Sequence, residues 1–234
     1  MFRLDNKSKK VDFDKYAEDY ENILKKDLVF FESENSYFSE YKVKITRKVI
    51  PDEPAEILEF GCGTGRNLKY LREYFPASKL EGCDISQKSL DISADSNKKT
   101  ELFLIDGNFT KNRTNRYDLI FISNVYHHIK PEERKSTTGK IADLLKHGGK
   151  IMIFEHNPYN LLTRYIVDRC PFDEDAVLLK PKELKNLLKE NTFCIKQFKY
   201  TLFFPRILKI FRPIESFIGF IPAGGQYYIL AEKI

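Results

Sequence analysis

The chain has no C-x-x-C pair, no apolar stretch long enough to span a bilayer and no internal repeat, and each absence removes a class of protein. Its four cysteines, Cys62, Cys83, Cys170 and Cys194, stand singly, so neither a zinc ribbon nor a disulfide framework is expected. A reducing, cytoplasmic setting is the expectation, with Cys62 and Cys83 acting as small buried apolar groups beside strands. The opening residues, Phe2-Arg3-Leu4-Asp5, do not resemble a signal peptide. What is present is ordinary for a globular protein. Of 234 residues, 42% are hydrophobic and 31% charged, enough for one domain with ample core. The net charge of +5 is uneven: from Val177 to Ile234, ten Lys or Arg face four acids. Any basic surface therefore belongs to the C-terminal third, and a solvated lysine-rich face accounts for it. No recognition module accompanies it, so no nucleic-acid partner is expected.

Periodicity predicts helices over 12–26 and 36–49, an N-terminal cap that stops at Pro51-Asp52-Glu53-Pro54. Strands and helices then alternate. Strands are predicted at 56–60, 79–83, 101–105, 117–123 and 150–154, with helices at 66–75, 87–95 and 131–146. This alternation implies an α/β, doubly wound sheet, mostly parallel, with helices on both faces. Further helices are expected near 161–169 and 181–190, and strands near 193–202 and 226–232. Between those strands, 203–222 carries Ile207, Ile210, Phe211, Ile214, Phe217, Ile218 and Ile221 at helical spacing, and Pro213 is expected to break it into two short helices. Three readings stand for this segment: a lid over the active site, a dimer interface, or an interfacial helix touching a membrane or lipid-linked substrate.

The chain is organised around Glu56-Ile57-Leu58-Glu59-Phe60-Gly61-Cys62-Gly63-Thr64-Gly65-Arg66. A strand runs into a turn whose glycines let a ligand lie on bare backbone at the positive end of the next helix. The glycines alternate as G-x-G-x-G, and Arg66 occupies the place of the third glycine of a dinucleotide-binding turn. Glu59 disfavours a pyrophosphate and suits a ligand with a cationic amino group. Asp84 ends the second strand nineteen residues past Gly65, the spacing of an acid that accepts from ribose hydroxyls.

The run from Glu59 to Gly65 resembles motif I of the class I S-adenosylmethionine-dependent methyltransferases. The resemblance covers about 55–155 and implies S-adenosylmethionine as cofactor. It also makes the two terminal strands compatible with a seven-stranded sheet whose last strand is antiparallel. Within it, Glu59, Gly61, Cys62, Gly63 and Gly65 form the cofactor turn, Asp84 takes the ribose and Ile85 the adenine face. Asp106, Gly107 and Asn108 read the adenine edge, and Asn124 touches the methionine moiety. Tyr16 is a candidate to close over the cofactor from the N-terminal helix. On this reading one methyltransferase domain comprises a helical cap (1–50), a cofactor core (55–155) and a substrate side (156–234).

Ligands of open α/β sheets bind at the carboxyl ends of strands, where His127-His128 and Glu155-His156 fall. His128 is the preferred base for a hydroxyl acceptor, with His127 behind it, and Glu155 and His156 position substrate or share proton transfer. The adjacent His127 and His128 lack the spacing of a chelating pair, and no metal site is expected. The favoured chemistry is O-methylation of a small molecule, a sugar or lipid-linked intermediate, by a monomer or homodimer. The alternatives are C-methylation of a quinone-type precursor and a non-catalytic cofactor-binding adaptor.

Overall fold

The computed structural model describes residues 11–15, 36–204 and 206–234. Most of the expected first helix, including Tyr16, lies outside them; Phe13–Lys15 forms a single 3₁₀ turn. The second expected helix is α1 (Ser36–Val49). Seven strands then build one sheet: β1 (Glu56–Phe60), β2 (Lys79–Asp84), β3 (Glu101–Leu104), β4 (Tyr117–Ser123), β5 (Leu145–His156), β6 (Phe193–Thr201) and β7 (Gln226–Lys233). Their order is β3-β2-β1-β4-β5-β7-β6. β1 pairs in parallel with both β2 and β4, whereas β7 runs antiparallel between β5 and β6. The chain leaves β3 and re-enters on the other side of β1, so connections diverge above the carboxyl ends of β1 and β4. That divergence opens a crevice there.

Continuous apolar runs make the central strands suited to burial on both faces. Val43 of α1, Leu68 and Leu71 of α2 (Arg66–Tyr74) and Leu90 of α3 (Gln87–Ser96) cover one face. Ile141 and Leu144 of α4 (Pro131–Leu144) cover the other with Leu184 and Leu188 of α6 (Pro181–Glu190); the short α5 spans Leu161–Val167.

Two boundaries differ from expectation. The helix predicted to reach residue 146 stops at Leu144, because the fully buried Leu145 already pairs with Tyr117 in the sheet. Gly148, at φ +74°, therefore sits within an irregular stretch of β5 rather than capping the helix. In 203–222 a 3₁₀ stretch (Arg206–Ile214) leads into α7 (Glu215–Ile218), and the backbone departs from helical geometry at Leu208, not at Pro213. Proline fixes its own φ near the helical value, so the turn tolerates it locally. Ile210, Phe217 and Phe220 are more than three-quarters exposed. Glu215 anchors the segment: it accepts from the Phe203 and Phe204 amides (3.0 and 3.1 Å) and from the Tyr41 hydroxyl of α1, which also meets Thr201 Oγ1 at 2.7 Å. No described helix is long and apolar enough to cross a membrane.

Candidate functional site

The glycine turn is tied to β2 by the Gly61 and Cys62 amides, which both donate to the Cys83 carbonyl (2.8 and 2.9 Å). Gly63 has φ +52° and open space where a Cβ would stand, so bare backbone faces outward. Its amide donates to Asp84 Oδ2 at 2.7 Å, and the Ser86 amide donates to Oδ1 at 2.9 Å. Ser86 Oγ caps α3 through the Ser89 amide, which leaves Asp84 free of that task. Burial lifts the Asp84 carboxyl above its ordinary value despite these backbone donors. Each of its oxygens keeps a lone pair for a ligand.

A cavity of about 900 Å³ opens over these strand ends. Gly61, Cys62, Gly63, Asp84, Ile85 and Asp106 line one side. Asn124, which holds a left-handed φ of 58°, His127, His128 and His156 line the other. Asparagine tolerates that conformation better than most residues, and it turns the chain sharply at the end of β4. Two cavity-lining oxygens, Thr64 Oγ1 and Gln226 Oε1, are buried without a hydrogen-bond partner among the described residues. An unpaired buried acceptor is costly, so both await a donor.

The histidines form one connected network. Glu155 Oε1 accepts from the Val125 and Tyr126 amides (2.9 and 2.7 Å), while Oε2 meets His127 Nδ1 at 2.7 Å. Asp173 Oδ1 lies 3.5 Å from His127 Nε2 and 3.3 Å from His128 Nε2. Asp175 Oδ1 approaches His128 Nδ1 at 3.2 Å, and Phe13 meets the His128 ring edge-on. Burial disfavours charge on His127, but Glu155 and Asp173 outweigh it and raise this imidazole to about 10. Burial also opposes the Glu155 and Asp173 charges, and the histidine contacts overcome it, holding both carboxyls below their ordinary values. His156, whose ring centroid lies 5.0 Å from that of His127, is pushed by burial down to about 4 and stays neutral.

Lys42 of α1 enters the same chamber. Its ammonium donates to Ser123 Oγ at 2.7 Å, and burial followed by repulsion from Arg66 lowers it to about 7. A lysine with a depressed folded value destabilises the fold as pH falls from its unfolded value toward 7, because only the unfolded chain takes up the proton. Lys42→Met is therefore expected to raise stability by about 1–3 kcal/mol at neutral pH and by less at pH 9.5. Urea midpoints at the two pH values check this; an equal gain at both would contradict it.

Several expected site residues do not face the cavity. Glu59 is fully buried behind the turn, with Oε1 bonded to Asn67 Nδ2 at 2.7 Å and Oε2 without a partner among the described residues, and burial raises it to about 8. Glu155 likewise lies behind the histidines and braces the loop after β4, so it does not meet a substrate directly. Gly65 packs against Ser93 and Asn97. Gly107 and Asn108 point to solvent, the Asn108 amide closing a turn on Asp106 Oδ1 at 2.7 Å. No described residue of 203–222 lines the cavity, so the lid reading of that segment finds no support in the geometry.

Adjacency in sequence does not keep His127 and His128 from forming a metal-type grouping. The 3₁₀ turn Tyr126–His128 brings both rings together, and Asp173 from the loop after α5 completes a group whose three ligand atoms lie within 4.8 Å of one another. Asp173, Asp175, Lys42 and Ser123 carried no motif. A lysine on the buried Ser39-Lys42-Val43-Thr46 face of α1 was the one available signal.

Residues 58–151 match a family described as "Methyltransferase domain". An uncharacterized protein of Methanocaldococcus jannaschii is 28% identical over 226 residues, covering 95% of this chain and 98% of its own. The tRNA N(3)-methylcytidine methyltransferase Mettl2 of Drosophila melanogaster is 26% identical over 132 residues, covering 52% of this chain and 41% of its own. Among solved structures, a SAM-dependent methyltransferase from Archaeoglobus fulgidus superposes with a TM-score of 0.68 at 19% identity, covering 92% of this chain and 99% of that one.

Proposed function

Because the chain belongs to the class I S-adenosylmethionine-dependent methyltransferases and uses that cofactor, we propose that it methylates an oxygen of a small molecule held against His128. The observation that carries this reading is the cavity of about 900 Å³, bounded by the glycine turn on one side and the histidines on the other. Its volume is near the upper end of the roughly 300–1,000 Å³ usual for small-molecule sites, which suits two compact ligands side by side.

The residues fit the cofactor. Gly63 offers an open face, and the unpaired Thr64 Oγ1 and Gln226 Oε1 suit a ligand carrying an ammonium. When bound, the cofactor supplies a methyl group on a sulfonium, an electrophile that needs only an aligned nucleophile. Asp84 would accept the ribose hydroxyls, Ile85 (45% exposed) would lie against the base, and Asp106 would accept its amine. Asn124 and Gln226, joined at 3.2 Å, would border the amino-acid end.

On the acceptor side, Asp175 at Nδ1 orients the His128 ring, so Nε2 is the atom that receives the acceptor's proton, with Asp173 beside it to stabilise the charge. His127, held protonated by Glu155, buttresses the network. His128→Ala is expected to leave cofactor affinity within about two-fold while turnover falls by ~10²–10⁴, the usual weight of a general base. Calorimetry with cofactor and labelled-methyl transfer to a panel of hydroxyl acceptors read the two quantities. Tight cofactor binding without transfer to any acceptor would favour an adaptor, label on carbon a C-methyltransferase, and label in a tRNA pool a macromolecular acceptor.

A further inference from the structure

From the histidine network we infer a second bound species: a divalent transition-metal ion held by His127 Nε2, His128 Nε2 and Asp173 Oδ1, with its remaining positions open to the cavity and taking an oxygen of the acceptor. Distances, together with the sharing of one Asp173 oxygen by both rings, point to this arrangement. A charge-assisted N–H···O contact closes to about 2.7–2.9 Å, and the His127–Glu155 contact does so at 2.7 Å. The two contacts to Asp173 stay open at 3.5 and 3.3 Å. Two ligand atoms each bonded at about 2.0–2.1 Å to one tetrahedral ion stand roughly 3.3 Å apart, so these gaps match the edges of a coordination polyhedron.

The surroundings are built for the same end. Metal-bound imidazoles usually donate their other ring N–H to a carboxylate, which fixes the tautomer and leaves the second nitrogen's lone pair for the ion. Both rings have that arrangement: Nδ1 of His127 faces Glu155, and Nδ1 of His128 faces Asp175. The two Nε2 atoms then converge on one carboxylate, with His127 and Asp173 buried and His128 15% exposed at the chamber wall. Three carboxylates around two rings need positive charge, which protons or one dication can supply. Two imidazoles and a carboxylate suit a first-row transition ion better than calcium or magnesium, which prefer all-oxygen shells. Three protein ligands with open positions are the pattern of a catalytic rather than a structural ion. The ion and protons compete for the same two Nε2 atoms, so the protonated His127 and the base role of His128 describe the ion-free site.

The part of this that concerns acceptor oxygen rests on the methyl-transfer reading; the ion site itself does not. The experiment therefore uses neither donor nor acceptor. Full-length protein stripped with a chelator is titrated with cobalt(II) chloride at neutral pH, and visible absorption and metal content are read. One cobalt per chain, with ligand-field bands, displacement by zinc(II) and none by magnesium(II), is the expected result. Asp173→Asn and His128→Gln should lower cobalt affinity by more than the ~10–100-fold that loss of an outer partner such as Asp175 costs. His147→Ala, at the exposed fourth histidine, should leave it unchanged. Wild-type circular dichroism and a cooperative thermal melt show that the variants fold, and the partly exposed His128 serves if Asp173→Asn does not. Absent bands, affinity equal in wild type and His128→Gln, or thiolate-to-cobalt charge transfer would overturn the site. Acetohydroxamate, a bidentate oxygen ligand, should shift the bands; no shift would overturn the acceptor contact alone.

Discussion

Gly63→Ala and Gly65→Ala are expected to fail in different ways, although both glycines belong to one turn. Gly65 has φ +79°, and a Cβ there would overlap Ser93 Oγ and Asn97 Nδ2 of the neighbouring helix end. Left-handed backbone costs a non-glycine residue about 1–2 kcal/mol, and forced repacking adds roughly 1–3 kcal/mol. For a chain of this size about 3 kcal/mol lowers Tm by ~6–12 °C. Gly63→Ala meets no protein atom, so its cost should stop at the backbone term of about 1–2 kcal/mol. Its methyl would instead project into the space proposed for the cofactor, and cofactor affinity should drop by ~100-fold or more, about 2.7 kcal/mol or above. Thermal melts with cofactor calorimetry read both effects. A Gly63→Ala protein with wild-type affinity would remove the turn from the cofactor's floor.

Glu155→Ala should be the most damaging change in the histidine network, even though Glu155 faces no cavity. It would strip the Val125 and Tyr126 amides of their acceptor and leave the buried His127 imidazolium with only the longer contact to Asp173 at 3.5 Å. Breaking one side of a buried ion pair costs roughly 3–5 kcal/mol. The pH dependence has a definite sign. His127 is raised in the fold to about 10, so its contribution is complete below its unfolded value of 6.5 and disappears as pH rises through 10. Glu155 is lowered, so its contribution is present above its unfolded value of 4.5 and disappears as pH falls through the folded one. The deficit of Glu155→Ala should thus be greatest between about pH 5 and 6.5 and smaller at pH 9. Urea unfolding at pH 6 and pH 9 checks this. A deficit below about 1 kcal/mol, or one independent of pH, would sink the account.

The donor half of the site was readable because its determinants are local. A strand, three alternating glycines and an acid at the next strand end fix Gly63 and Asp84 within one β-turn-α-β step, and the sheet reproduces them at Glu56–Phe60 and Lys79–Asp84. Seven strands with an antiparallel β7 followed from the same alternation and resemblance. The acceptor half was only partly readable. His127, His128 and His156 were found because strand ends deliver them. Lys42 reaches Ser123 across eighty-one residues and Asp175 reaches His128 across forty-seven, through packing of elements whose placement no local pattern encodes. Adjacency likewise misled: neighbouring histidines diverge on a strand or helix, yet a 3₁₀ turn and one carboxylate from a distant loop make their Nε2 atoms converge.

Tyr41 and Lys42 are consecutive residues of one helix, yet their side chains hold different elements in place. The phenol is clamped by Glu215 and Thr201 beneath the exposed Ile210, Phe217 and Phe220 segment, and the ammonium rests on Ser123 inside the chamber. A helix is stiff over one residue, so the hydrogen bonds of Tyr41 and Lys42 tie the outer segment and the end of β4 to the same turn of α1.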